Sequence, residues 1–253
     1  MASAAFDFTG DCYLVTGASS GMGREVALAL TKAGATVLAV ARREEKLQAL
    51  QAETAGYAGT LVPAVCDVCD GESLEGHLAA FTEKYGRLSG TVHAAGIAVF
   101  TPVMMYNARK AHNMMETTFW AGMNLLQLAT GAGYAREKTS HVLFSSADAI
   151  CCEKGKFAYA AAKAAVNAGV RAAAKELGPQ GHRVNAVLPG WVETEMTVSP
   201  MVAAMADQAA IEAREILGTG KPEDVTGMVL FLLSDAARWV TGACLAVDGG
   251  YSA

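Results

Sequence analysis

Thr16-Gly17-Ala18-Ser19-Ser20-Gly21-Met22-Gly23 follows the apolar run Cys12–Thr16 (CYLVT) and opens a helical stretch, Met22–Ala33. Strand, glycine turn and helix in this order form a phosphate-binding βα unit. Glycine lets the backbone turn tightly and approach phosphate closely, and the helix N-terminus favours negative charge. The spacing is G-x-x-x-G-x-G, not G-x-G-x-x-G. Taken alone, it also fits an ordinary βα turn. Its place between the first strand and the first helix of an alternating chain favours the phosphate reading.

The alternation continues outward from this loop. Strands are expected at Thr36–Ala41, Leu61–Cys66, Gly90–Ala94, Val142–Ser145, Arg183–Leu188 and Cys244–Val247. Helices are expected at Glu44–Ala52, Leu74–Tyr85 (ending at Gly86) and Phe157–Leu177. Continuously apolar strands alternating with helices imply an α/β fold, a seven-stranded parallel sheet covered by helices on both faces. No composition shift marks a second domain, so residues 1–253 read as one.

Composition narrows the function classes. With 52% hydrophobic and 18% charged residues the chain is not disordered, and a net charge of −5 argues against a nucleic-acid binder. No apolar run reaches the length of a membrane span; Val225–Leu233 is short and broken by Thr226 and Gly227. The start, MASAAFDFTGD, carries no secretory signal, so a reduced, cytoplasmic location is expected. Cys66 and Cys69 form C-x-x-C, and Cys151 and Cys152 are adjacent. Neither pair has partners at metal-site spacing, and no metal is expected.

The second strand ends Val40-Ala41-Arg42-Arg43. A dinucleotide site for a free ribose 2′-hydroxyl places a carboxylate at this point. Ala41 stands there instead, and a guanidinium can grip a 2′-phosphate through paired hydrogen bonds. The expected cofactor is therefore NADP (NADPH), with Arg42 the main phosphate ligand and Arg43 the second. The alternative is a pair of solvated arginines. Asp67, followed by Val68 after the third strand, is placed for the adenine amino group, with the C-x-x-C thiols packed nearby.

Ser146 follows the fifth strand. Tyr159 comes thirteen positions later and Lys163 four beyond it, so phenol and ammonium share a helix face. Free tyrosine has a pKa of about 10. A neighbouring lysine cation and an oxidised nicotinamide ring would both favour the phenolate, making Tyr159 a general acid or base. The serine hydroxyl would hold the substrate oxygen. Tyr-x-x-x-Lys alone also occurs on the surface of any alanine-rich helix.

These pieces together resemble the short-chain dehydrogenase/reductases, single-domain Rossmann enzymes. The matching segments are TGASSGMG at 16–23, Asp67-Val68, Ser145-Ser146, Tyr159–Lys163, Pro189-Gly190 with Thr194, and Val247-Asp248-Gly249-Gly250, covering about Gly10 to Gly250. The resemblance implies hydride transfer between NADP(H) and a carbonyl/alcohol pair. It makes Ser146, Tyr159 and Lys163 catalytic. It assigns the cofactor to Gly17, Ser19, Ser20, Gly21, Met22, Gly23, Arg42, Arg43, Asp67, Val68, Ala95, Gly96, Tyr159, Lys163, Pro189, Gly190, Val192 and Thr194. It also implies a homotetramer or homodimer, with the alanine-rich helix 157–177 making a subunit contact.

Two departures stand out. The family has Asn-Asn-Ala-Gly after strand four, whereas this chain has His93-Ala94-Ala95-Gly96. His93 fits a packed, hydrogen-bonded role or a proton group. A family asparagine that completes a water relay to the lysine aligns with Thr118, whose hydroxyl can also hold water. These departures motivate a second reading, an NADPH-binding regulator with little turnover. The substrate loop is expected around 194–218, with Met196, Met201 and Met205; Met104 and Met105 lie toward the same side, and Cys151, Cys152 and Phe157 border the pocket. Methionines suit a small, fairly apolar carbonyl or alcohol substrate, or simply packing. Gln180 replaces the basic residue that acyl-carrier-protein ketoreductases carry before the glycine, and the acidic balance disfavours an acidic carrier.

Overall fold

The computed structural model describes residues 5–198 and 214–253. Strands β1 (Cys12–Thr16), β2 (Thr36–Ala41), β3 (Thr60–Val65), β4 (Leu88–His93), β5 (Ala135–Phe144), β6 (Arg183–Pro189) and β7 (Cys244–Val247) form one sheet in the order β3-β2-β1-β4-β5-β6-β7. Every pairing is parallel. The chain runs outward from β1 to β3 and then restarts at β4 on the other side of β1. That reversal opens a crevice at the carboxyl ends of β1 and β4, where open α/β sheets bind ligands.

Among the described residues the helices are α1 (Gly21–Lys32), α2 (Glu44–Glu53), α3 (Gly71–Tyr85), α4 (Ala108–Met115), α5 (Ala121–Thr130), α6 (Asp148–Cys151), α7 (Phe157–Leu177) and α8 (Pro222–Leu233). Alternating strand residues sort the two faces. Tyr13, Val15, Val37 and Ala39 join Val26 and Leu30 of α1, Leu47 and Leu50 of α2, and Val229 of α8 in one core. Leu14, Leu38 and Val40 point the other way, onto Leu74, Leu78 and Phe81 of α3 and Leu125 of α5. Leu143 and Leu188 meet Val166 and Val170 of α7 on that second face. A π turn, Glu116–Trp120, joins α4 to α5.

The strongest departure from the sequence expectation is β5. It begins at Ala135, not Val142, because Arg136, Glu137 and Lys138 are exposed at its outer end. Its register against β4 shifts between Leu88 and Gly90. Gly90 is required there, since a Cβ would lie 1.8 Å from the Ser140 carbonyl oxygen. Of the expected substrate loop, residues 199–213, with Met201 and Met205, lie outside the described residues.

Three buried histidines are expected to make the fold acid-sensitive. Thr91 Oγ1, His141, Thr139 Oγ1 and His182 form a hydrogen-bonded chain with contacts of 2.9, 2.6 and 2.7 Å. Burial pushes His141 down to about 3, lowers His182, and pushes His93 down to about 4. Unfolded histidine titrates at about 6.5. Between that pH and the folded values the unfolded chain binds more protons, so stability present above about pH 6.5 is lost on acidification. His93 alone accounts for about 3 kcal/mol by pH ~4. Equilibrium urea unfolding should show stability falling steadily below pH ~6.5; a flat profile down to pH ~4 would contradict this assignment.

Candidate active site

The glycine loop is shaped by contacts that only glycine allows. Gly17 has a φ of +68°, and a Cβ there would lie 2.8 Å from the Ala95 nitrogen. A Cβ on Gly23 would lie 2.6 Å from the Gly17 carbonyl oxygen. The loop therefore sits directly against the Ala94–Gly96 backbone after β4. Ser20 precedes α1 without capping it, and the first turn of α1 carries no acidic residue. Its free N–H groups and positive dipole end are left for an anion.

A groove runs from this loop across the carboxyl edge of the sheet. Gly17, Ser19, Ser20, Gly21, Met22 and Gly23 line one wall, with Arg42, Arg43, Asp67 and Val68 at one end. Ala95, Gly96, Ile97 and Thr117 lie toward the other, and Thr194 and Met196 lie along it. Cys66 also lines the groove, whereas Cys69 is exposed, and both are free thiols. Thr194 faces the loop, close enough that a Cβ on Gly21 would meet its methyl at 3.1 Å. A long cleft with a main-chain phosphate cradle, an uncapped helix terminus and cations at one end fits a nicotinamide dinucleotide. Pro189, Gly190 and Val192 lie outside this lining. Pro189 ends β6 and accepts the Ala147 N–H at 2.9 Å, Gly190 packs against Asp248, and Val192 bridges to Gly220.

The two arginines have different surroundings. Arg43 donates to Ser19 Oγ at 3.0 Å, Ser20 Oγ at 2.7 Å and Glu195 at 2.7 Å. Lys46 also pairs with Glu195. Arg42 is 71% exposed and, among the described residues, has one ionic contact, to Asp67 at 3.7 Å. Asp67 also accepts the Cys69 N–H at 3.0 Å. The Arg43–Glu195 link joins residues far apart in the chain and was not legible from the sequence.

At the inner end of the groove, a Cβ on Gly96 would lie 3.7 Å from both Lys163 Nζ and Thr118 Oγ1. Lys163 is buried and donates to the Phe144 carbonyl at 2.8 Å. Its ammonium lies 5.7 Å from the Tyr159 ring centre. Ser146, buried after β5, is near enough for its hydroxyl to favour the Tyr159 phenolate. The structure thus brings Ser146, Tyr159, Lys163 and Thr118 to one place.

Burial pushes the Tyr159 phenol up to about 12; the Ser146 hydroxyl opposes the shift and the Asp148 charge adds to it. Burial also pushes Lys163 down to about 8. An oxidised nicotinamide ring beside the phenol would favour the phenolate against this desolvation.

Thr118 sits in the π turn, buried, with no hydrogen-bond partner for Oγ1 among the described residues. A buried hydroxyl of this kind is a natural water holder. His93 is neutral and fully bonded: Nε2 donates to the Thr117 carbonyl at 3.1 Å, and Nδ1 accepts from Thr16 Oγ1 at 3.0 Å. A carbonyl can only accept, which fixes the ring proton on Nε2. Thr16 Oγ1 in turn accepts the Ala95 N–H at 3.2 Å. His93 therefore braces β1, the Ala95 turn and the π turn together.

Two residues that the sequence reading did not single out stand beside the phenol. Asp148, in the first turn of α6, forms a largely buried ion pair with Lys156 at 2.9 Å. Phe100 packs edge-on against Tyr159, ring centres 5.6 Å apart.

Comparison with known proteins agrees with this architecture. A family model described as Enoyl-(Acyl carrier protein) reductase matches residues 17–252. The chain is 33% identical to 3-oxoacyl-(acyl-carrier-protein) reductase FabG of Thermotoga maritima, covering 95% of this chain and 97% of that protein. It is 35% identical to L-xylulose reductase of Caenorhabditis elegans over 98% of both. Carveol dehydrogenase from Mycobacterium avium in complex with NAD superposes with a TM-score of 0.91 at 27% identity, covering 98% of this chain and 99% of that one. The protein belongs to the short-chain dehydrogenase/reductase family, whose members are oxidoreductases that use a nicotinamide cofactor. Among the described residues no helix is long and apolar enough to cross a membrane.

Proposed function

We propose that the protein is an NADP(H)-dependent carbonyl reductase or alcohol dehydrogenase acting on a small molecule. The observation that carries this reading is the convergence of buried Lys163, the Tyr159 ring 5.7 Å from its ammonium, and Thr118 beside Gly96, at the inner end of the glycine-lined groove. A nicotinamide held in this groove would supply or accept the hydride. Tyr159 donates its phenolic proton to the substrate oxygen as that oxygen becomes an alkoxide. Ser146 holds the same oxygen by a hydrogen bond. Lys163, fixed by the Phe144 carbonyl, serves the ribose hydroxyls and returns a proton to the phenol. Thr118 holds a water beside Lys163 and so completes the path to solvent.

Arg42 takes the 2′-phosphate, Asp67 and Val68 the adenine, and Pro189, Gly190, Val192 and Thr194 the nicotinamide end. In this reading residues 1–253 act as one domain whose segment 194–218 covers the substrate. The protein works in the cytoplasm as a homotetramer or homodimer, with α7 at a subunit contact.

The expected result is consumption of NADPH in preference to NADH when the purified protein meets a ketone panel, followed by nicotinamide absorbance. Tight NADPH binding with no turnover across the panel would replace this reading with that of a cofactor-binding regulator.

A further inference from the structure

Asp148 lies two residues beyond Ser146 and is only 7% exposed. Its backbone N–H donates to Ser146 Oγ at 3.2 Å. Carboxylate oxygen Oδ2 accepts the Lys156 ammonium at 2.9 Å. The other oxygen, Oδ1, is buried and has no hydrogen-bond partner among the described residues. The Lys156 nitrogen stands over the Phe100 ring at 5.1 Å and the Trp191 ring at 5.9 Å, and Phe100 contacts Tyr159. The lysine of the pair thus stands against two aromatic rings, one of which, Phe100, adjoins the reacting phenol.

Buried carboxylate oxygens are almost always hydrogen-bonded, and an exception calls for a missing donor. Asp148 and Lys156 neutralise each other, so a cationic ligand group has no net charge to meet. A neutral hydroxyl is different. It can donate to Oδ1 and accept from the ammonium, which has three protons and one hydrogen-bonded partner among the described residues. We propose that the Asp148–Lys156 pair is a substrate subsite that binds a second hydroxyl adjacent to the reacting carbon. The substrate class is then the α-hydroxy ketone and its vicinal diol, not a simple apolar ketone. This rests on the carbonyl-reductase reading above and adds the substrate class to it.

The test compares hydroxyacetone with acetone, each with NADPH, in the native protein and in the double variant Asp148→Leu/Lys156→Met. The double change replaces the whole pair with apolar side chains and leaves no unpaired buried charge. Removing the charge also moves the Tyr159 phenol, but that affects both ketones alike, so the ratio isolates the hydroxyl. The native protein should prefer hydroxyacetone by about tenfold or more in kcat/KM, equivalent to about 1.4 kcal/mol. The variant should bring that ratio to within about threefold of unity. Equal use of both ketones by the native protein, or an undiminished preference in the variant, would overturn the proposal.

If neither ketone is reduced, the carbonyl-reductase reading fails first, and binding alone then judges the subsite. Propylene glycol should raise the Tm of the NADP⁺-saturated native protein more than isopropanol does, with the difference lost in Asp148→Asn/Lys156→Met. No difference between the two alcohols would reject the subsite.

Discussion

Tyr159→Phe should lower ketone reduction with NADPH by about a thousandfold while the cofactor still binds, because positioned acid–base groups contribute roughly 10²–10⁴. The substitution removes one oxygen and keeps the ring, which Phe100 contacts edge-on. Packing is therefore retained, and the loss falls on proton transfer. A phenol pushed up to about 12 is neutral at physiological pH, the form that donates. Reduction needs that acid and should be nearly independent of pH through neutrality. Alcohol oxidation needs the phenolate, which burial of the phenol makes scarce near neutrality. Oxidation by the native protein should therefore rise steeply with pH. Residual reduction above about a tenth of native in Tyr159→Phe would show that another group supplies the proton.

The glycine loop was legible because its information is local. Gly17 and Gly23 are needed by the turn and the close backbone approach, and both lie within one βα unit. The strand pattern was legible for a similar reason, since β1 and β2 are apolar throughout. The charged start of β5 defeated that logic, because Arg136, Glu137 and Lys138 remain exposed while their backbone enters the strand. The Asp148–Lys156 pair depends on a reversal of the chain. Cys152 takes a left-handed conformation with φ 55°, and Gly155 follows at φ +79°. Together they fold Lys156 back onto Asp148. A non-glycine residue at positive φ is uncommon and carries no sequence signature when it is cysteine. The high phenol pKa was hidden because desolvation belongs to the packed site and not to the Tyr-x-x-x-Lys spacing. His93 departs from the family's residue type, yet its partners, Thr16 and Thr117, come from a strand end and a π turn that only the fold brings together.

Arg42→Ala should weaken NADPH binding by about 10–100-fold and leave NADH within about threefold, since a hydrogen bond to a charged group is worth roughly 1.5–3 kcal/mol. The contrast between the two arginines makes this a discriminating test. Arg43 is held by Ser19, Ser20 and Glu195, so it ties the phosphate loop to the segment after Thr194. Arg43→Ala should therefore loosen a wall shared by both cofactors and weaken NADPH and NADH to a similar degree. Among the described residues Arg42 has only the 3.7 Å contact with Asp67, and its exposed guanidinium has donors to give to a 2′-phosphate. Glu195 adds a carboxylate to the same end of the groove, where it already engages Arg43 and Lys46. On the proposed NADP(H) reading, discrimination for the phosphorylated ribose is expected to rest on Arg42, with Ala41 leaving no carboxylate at the end of β2 to repel the phosphate. Fluorescence titration of each variant with NADPH and NADH separates the roles. Equal losses for both cofactors in Arg42→Ala, or a native preference for NADH, would remove Arg42 from the 2′-phosphate site.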